Sequence, residues 1–252
     1  MSDLDGKVAL VTGAGQGVGR GIALALASEG ATVVAVGRTM QKVETTAQEI
    51  RDRAGTAIPF CCDVADRDQV HKTVAEVGDR LGSIDVLVNN ASGLRLRPVL
   101  EITPRDLEVV WATSFVGTLT FMQACFNYLK AGRGAVINVG SGAGLRSDPA
   151  GMGLYASVKE AIRTLTRAAA VEWGPLGIRV NTIVPFARSP SLEVFANQNP
   201  NEFARVVESV PLRRIGDCED DIGRAVAFLA GPAAGYITGT TLMLDGGQAF
   251  LR

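Results

Sequence analysis

A chain of 252 residues, 47% apolar and 20% charged, has enough material to bury a substantial core, which excludes a disordered tail or a fibre. Its formal net charge of −1 offers no basic stripe for nucleic acid and no polybasic segment for anionic lipid. The longest apolar runs, such as VALVTG and AVINVG, are strand-length and far short of a bilayer span, and MSDLDGK has no charged-then-apolar leader pattern, so a cytoplasmic protein is expected.

Strand and helix signals alternate along the chain. KVALVTG is a short apolar run that stops at glycine, and GVGRGIALALASEG then has helical periodicity with Gly30 as its C-cap. ATVVAVG predicts the second strand and MQKVETTAQEIRDRAG the second helix. AIPFCCDV precedes a helix from about Asp66 to Leu81, and IDVLVNNA precedes a long helical region from about Thr103 to Lys130. GAVINVGS leads into a helix carrying Tyr155 and Lys159, and GIRVNTIVP and TLMLDGG complete about seven strands. Continuous apolar strands between amphipathic helices predict an α/β fold: a doubly wound, Rossmann-like parallel sheet with helices on both faces and ligands beyond the carboxyl ends of the strands. No linker composition interrupts the pattern, so residues 1–252 read as one domain. The rhythm breaks only at 186–214, FARSPSLEVFANQNPNEFARVVESVPLRR, long enough for a substrate lid.

The glycines cluster where chemistry needs them. TGAGQGVG, Thr12 to Gly19, lies between the first strand and the first helix. Gly13, Gly15, Gly17 and Gly19 let backbone approach a pyrophosphate, and the helix start at Gln16, Gly17 and Val18 offers free N–H groups to it. Tyr155 and Lys159, four apart, stack on one helical face among small residues. Cys61, Cys62, Cys125 and Cys218 have no C-x-x-C spacing, and His71 is the only histidine, so no metal site is expected and the thiols fit a reducing compartment.

The glycine spacing, with NNAS (Asn89 to Ser92), INVGS (Ile137 to Ser141), Tyr155-x-x-x-Lys159, VNTIVP and the closing YITGTTLMLDGG, resembles the short-chain dehydrogenase/reductase family over nearly the whole chain. The resemblance implies a dinucleotide-binding and catalytic domain that interconverts a carbonyl and a secondary alcohol by hydride transfer. It makes Tyr155 the general acid/base, Lys159 the residue that lowers its pKa and holds the nicotinamide ribose, and Ser141 the donor to the carbonyl oxygen. It adds Asp63 and Val64 at the adenine, and Asn90 and Pro185 to the cofactor contacts. It also implies a homo-oligomer, dimer or tetramer, built through the long helices and the last strand, and Trp111 and Trp173 are expected in or beside those helices.

Five positions depart from the family pattern. Ser114 stands where relatives have an asparagine that holds a water linking the lysine to solvent; a hydroxyl in its place reroutes that relay. Phe186 replaces the glycine after Pro185, where a phenyl ring could narrow the pocket or pack on cofactor or substrate, and Ser189 arrives one residue before the usual threonine. Ser141 precedes Tyr155 by one residue more than usual, which a bulge in GLRSDPAGMG absorbs, and Ser92 replaces the glycine after NNA.

The second strand ends at Gly37, where NAD-preferring relatives carry an acid, and Arg38 follows with a fork of donors for a 2′-phosphate. NADP(H) is therefore expected over NAD(H). Leu192, Val194, Phe195, Phe203, Val206 and Val207 have partial helical spacing suited to a pocket wall or a lid's packing face. Arg95, Arg97, Arg146 and Arg188 fall in loops at the carboxyl ends of strands, where four cations could attract an acidic substrate. The alternatives are an NAD-dependent alcohol, sugar or steroid dehydrogenase and a dinucleotide-binding regulator with weakened catalysis.

Overall fold

β1 (Val8–Thr12) is buried at every position, as a parallel strand covered on both faces must be. The computed structural model describes residues 3–146 and 151–249. In it β1 is followed by α1 (Gly17–Ser28), β2 (Thr32–Gly37), α2 (Met40–Asp52), β3 (Thr56–Cys61), α3 (Arg67–Leu81) and β4 (Val86–Asn89). Then come α4 (Pro104–Val110), α5 (Gly117–Gly132), β5 (Ala135–Val139), α6 (Gly153–Trp173) and β6 (Arg179–Pro185). The chain ends with α7 (Pro190–Gln198), α8 (Pro200–Ser209), α9 (Arg224–Ala230) and β7 (Thr241–Leu244). The seven strands form one sheet in the order β3-β2-β1-β4-β5-β6-β7, every pair parallel. The chain winds outward to β3, then returns to set β4 beside β1, and that reversal opens a crevice at the carboxyl ends of β1 and β4.

Period-two alternation divides each strand between two cores. Ala9 and Val11 join the layer formed with Ile22 and Leu26 of α1 and Val226 and Leu229 of α9. Val8 and Leu10 join the layer formed with Val70, Val74 and Val77 of α3 and Phe121, Cys125 and Leu129 of α5. Each fully buried side chain of this size contributes about 1.5–3 kcal/mol. Buried polar contacts register α6 on the sheet. Asn89 Nδ2 donates to Asn138 Oδ1 at 2.9 Å, Asn138 Nδ2 donates to Thr166 Oγ1 at 2.9 Å, and Thr182 Oγ1 donates to Thr166 Oγ1 at 3.0 Å. β4, β5, β6 and α6 are thereby tied within one polar ladder, which fixes where the Tyr155 turn stands.

The long helix expected from Thr103 has Thr103 and Asp106 as a reciprocal capping box, but it is not uniform. Trp111–Val116 is π-helical, a local underwinding that widens the turn between α4 and α5. The whole run Pro104–Gly132 is long and apolar enough by composition to cross a membrane, which corrects the expectation drawn from run lengths. Half of its apolar window is buried, and it packs on α3 and α6 as a core helix does. Trp111 lies edge-on to Phe115 and Trp173 is tilted on Phe126 of α5, each pair at 5.1 Å. His71 is exposed on α3, and the four cysteines are free thiols.

Residues 186–214 hold α7 and α8, which pack on each other and bury no residue fully. Of the six apolar positions singled out there, Val194 is 55% exposed and the others are half-buried. The bulge expected in GLRSDPAGMG falls on residues 147–150, outside the described residues.

Candidate active site

A cleft of about 570 Å³ opens at the carboxyl ends of β1, β4, β5 and β6, with the glycine loop at one end and Tyr155 and Lys159 at the other. Gly13 has φ +66°, and a Cβ there would lie 2.7 Å from Asn90 Nδ2. Gly19 packs so closely on Asn90 and the Gly13 carbonyl that a Cβ would collide with both. Asn90 braces the loop: its Nδ2 donates to the carbonyls of Thr12 at 2.9 Å and Gly13 at 3.2 Å, while the Asn90 and Ala91 N–H groups donate to Thr12 Oγ1. Gln16 opens α1 without capping it by its side chain, which leaves the first N–H groups of the helix for an anion. A glycine loop packed too closely on its neighbours for side chains, facing an uncapped helix start, fits the diphosphate of a dinucleotide.

Beyond the loop, Gly37, Arg38 and Thr39 line the cleft, and no carboxylate stands at Gly37. Lys42 lines it too and donates to Gln16 Oε1 at 2.6 Å. Sequence reading passed over Lys42, which lies in the exposed first turn of α2; its only signal was a cation four residues after Arg38 at a helix start. Val64 lines the cleft as expected, but Asp63 is not part of the lining, and its Oδ1 accepts the Ala65 N–H at 3.0 Å. Asp63 thereby braces the turn before α3.

At the other end, α6 brings Tyr155 and Lys159 together, and β5 delivers Ser141. Ser141 Oγ accepts the Ala143 N–H at 3.2 Å, which leaves its proton for donation. Partial burial raises the Tyr155 pKa above its ordinary value of 10.0, and hydrogen bonds from Ser141 and Ser92 work against that rise. Lys159 is buried, donates to the Val139 carbonyl at 2.7 Å and lies 5.6 Å from the centre of the Tyr155 ring. Two serine hydroxyls favour the phenolate, and the Lys159 ammonium stands over the ring. Ser114 is also relocated. It is fully buried in the π-helical stretch and bonds Ser92 and the Gly93 N–H, with no described contact to Lys159.

Pro185 and Phe186 line the cleft. Ser189 caps α7 by accepting the Leu192 N–H, and Leu192 alone of the six apolar positions of 186–214 reaches the lining. Two carboxylates stand beside the arginine cluster: Arg97 and Arg95 share Asp106, at 3.5 and 3.9 Å, and Arg188 lies 3.4 Å from Glu193. Arg146 lines the cleft. Gln248 lines it as well, and its Nε2 is buried without a partner among the described residues, a donor available to a substrate oxygen.

Burial pulls the Lys159 pKa from 10.5 to about 8. The unfolded chain therefore binds more protons between those two values, so this lysine costs stability below pH 8 and the cost fades as pH rises toward 10.5. Lys159→Met is expected to raise Tm at pH 7 and to flatten the rise in Tm between pH 8 and 10.5, as scanning calorimetry across pH would show.

A family model described as enoyl-(acyl carrier protein) reductase matches residues 13–249. The chain is 39% identical to a 12alpha-hydroxysteroid dehydrogenase of Clostridium sp. over 256 aligned residues, covering 98% of each chain. It is 38% identical to a sorbitol dehydrogenase of Cereibacter sphaeroides, covering 97% of this chain and 98% of that one. A solved Serratia marcescens short-chain dehydrogenase/reductase, in a doubly substituted form, superposes with a TM-score of 0.91 at 31% identity over 98% of this chain and 100% of the other.

Proposed function

The chain belongs to the short-chain dehydrogenase/reductase family and is an oxidoreductase of alcohols and carbonyls; from that premise we propose that it uses NADP(H), with Tyr155 as the acid/base. The observation that carries this reading is the cleft's two ends. A glycine cradle with Arg38 and Lys42 beyond it faces a tyrosine that two serine hydroxyls contact above a buried lysine.

The nicotinamide supplies or accepts the hydride when bound; the rest is the work of this chain. The loop Gly13 to Gly19 and the α1 amides hold the diphosphate, and Arg38 and Lys42 take the 2′-phosphate. Ser141 donates to the substrate oxygen, which becomes negative as hydride arrives, and Tyr155 gives that oxygen its proton. In oxidation the same proton returns to Tyr155. Lys159 spends one N–H on Val139 and keeps two for ribose hydroxyls and the phenolate side of the site.

The wall beyond Tyr155 favours an apolar substrate body. Leu94, Met152, Phe186 and Leu192 line the cleft, and Leu96, Val99 and Leu100 are exposed in the adjoining loop. A cyclic or branched ketone suits that wall better than a polyol, in keeping with the hydroxysteroid activity named for one relative. Segment 186–214 then acts as the lid over it. Exposed Leu107 and Val171 on α4 and α6 suit coverage by a second copy in a homo-oligomer, and the free thiols suit the cytoplasm.

The test is a fluorescence titration with NADPH and NADH, followed by NADPH consumption over a panel of steroid and other cyclic ketones, β-keto thioesters, quinones and sugars. Quenching that is tighter with NADPH, then ketone-dependent oxidation of NADPH, is expected. Equal affinity for NADH would overturn the cofactor assignment, and tight binding without turnover of any carbonyl would favour the regulator.

A further inference from the structure

The turn after β7 enters the cleft with one polar side chain uncommitted. Gln248 is half-buried and lines the cleft, and among the described residues no group bonds either end of its amide. A Cβ on Gly142 would touch the Ala249 methyl at 3.7 Å, which sets Gln248 on the Ser141 side of the cleft. The backbone around it is held firmly. Asp245 Oδ1 accepts the Gly247 N–H at 3.0 Å, and its Oδ2 accepts the Ala249 N–H at 2.8 Å. The Gln248 N–H itself donates to the Asp245 carbonyl at 3.2 Å. Gly246 and Gly247 make the turn with φ of +65° and +87°, and the Gly246 carbonyl accepts the Leu212 N–H at 3.2 Å. A buried amide donor without a partner is destabilising, and a bound oxygen relieves that cost. The chain thus clamps a turn on both sides of an amide that it does not itself use.

Three observations choose the partner. Leu94, Met152, Phe186 and Leu192 line the same cleft, so the group that meets Gln248 belongs to a mainly apolar molecule. Asp245 is buried and lines the cleft three residues before Gln248, so an anionic group there would meet a like charge. Arg146 lines the cleft too, but it is exposed, and water and salt screen its pull on an anion. A hydroxyl suits the amide in either orientation: it donates to Oε1 or accepts from Nε2, whichever end turns toward it about the broad last torsion.

We propose that Gln248 is a specificity-determining residue that holds a substrate hydroxyl away from the reacting carbon, so that the preferred substrate is a cyclic ketone carrying a hydroxyl, or the matching diol. The proposal rests on the reading of the cleft as a carbonyl-reducing site. A site with a polar group placed for a substrate hydroxyl rejects the analogue that lacks it, because the group is then left unpaired. An apolar wall alone separates two rings of the same shape far less.

The experiment uses the full chain with NADPH and matched rings. The hydroxycyclohexanones, with the hydroxyl at each ring position in turn, are compared with the methylcyclohexanones of the same shape and with the oxocyclohexanecarboxylates. For the wild type, kcat/KM for the best hydroxylated ring is expected to exceed that for its methyl counterpart by about tenfold, the scale of one hydrogen bond. Gln248→Met keeps the length of the side chain without the amide, and Gln248→Ala removes it. Both are expected to bring that ratio to within about twofold of unity, each ratio being taken within one protein so that a general loss of activity cancels. NADPH affinity reports the fold of each variant. Equal rates for hydroxylated and methylated rings in the wild type, or a preference that survives both substitutions, would overturn the proposal. Faster turnover of a carboxylate-bearing ring than of the hydroxylated ones would overturn the neutral class of partner. Turnover of no ketone at all would overturn the proposed function instead, and affinities of the paired rings for the NADPH complex, read by fluorescence, would then decide the subsite. Tighter binding of the hydroxylated ring that is lost in Gln248→Met supports it, and equal binding overturns it.

Discussion

Tyr155→Phe is expected to lower kcat in both directions by about 10²- to 10⁴-fold while NADPH affinity stays unchanged. That range corresponds to roughly 3–5 kcal/mol of lost transition-state stabilisation. The change removes one oxygen and keeps the ring that lies over Lys159, so α6 and the cradle remain in place. Neither serine can replace the proton donor. Ser141 and Ser92 are far weaker acids, and Lys159 directs an N–H into the Val139 carbonyl. The pH dependence of the wild type follows from the direction of the Tyr155 shift. Its pKa lies above 10.0, so at neutral pH it is the phenol that a reduction needs. Reduction should hold level through neutral pH and fall only as the phenol ionises, whereas oxidation should climb over the same alkaline range. Initial rates in both directions, wild type against Tyr155→Phe, check this. A variant that keeps even a tenth of wild-type turnover would remove Tyr155 from the chemistry.

The sheet was legible in the sequence for a physical reason. Strands buried on both faces must be apolar at every position, and β1, β4 and β5 read that way without any structural knowledge. The glycine loop was legible because φ +66° at Gly13 and the close approach of Asn90 both demand the smallest residue. Features that depend on pairing across the chain were not legible. WATSFV has ordinary helical composition, so nothing marked it as π-helical or showed that Ser114 meets Ser92. Arg95 and Arg97 looked like open cations because Asp106, which stands beside both, was read only as the start of a helix. Asp63 was read as a ligand from its position, and the Ala65 N–H that it also accepts could not be read from the sequence. Motif position and hydrogen-bond partner are separate facts, and only the first is written in one dimension.

Removing the two cations at the far end of the cleft tests the cofactor assignment directly. Arg38→Ala and Lys42→Ala are each expected to weaken NADPH binding about tenfold, and the double variant about a hundredfold, with NADH binding nearly unaffected; this is the scale of one charge-assisted hydrogen bond at a wet site. Both residues are exposed, so their attraction for the 2′-phosphate is screened, and wild-type NADPH affinity should fall with added salt more steeply than NADH affinity. The reverse experiment is limited by packing. A Cβ on Gly37 would lie 2.8 Å from Val43 Cγ1, a fully buried side chain at the start of α2. Gly37→Asp therefore displaces Val43 before its carboxylate can meet a ribose, and it is expected to weaken both cofactors. Gly37→Asp combined with Val43→Ala relieves the crowding and should recover NADH affinity at the expense of NADPH. Fluorescence titrations of the wild type and the five variants with both cofactors, at low and high salt, separate these terms. If NADH binds the wild type as tightly as NADPH does, or if losing both cations weakens the two equally, the pair is only surface charge.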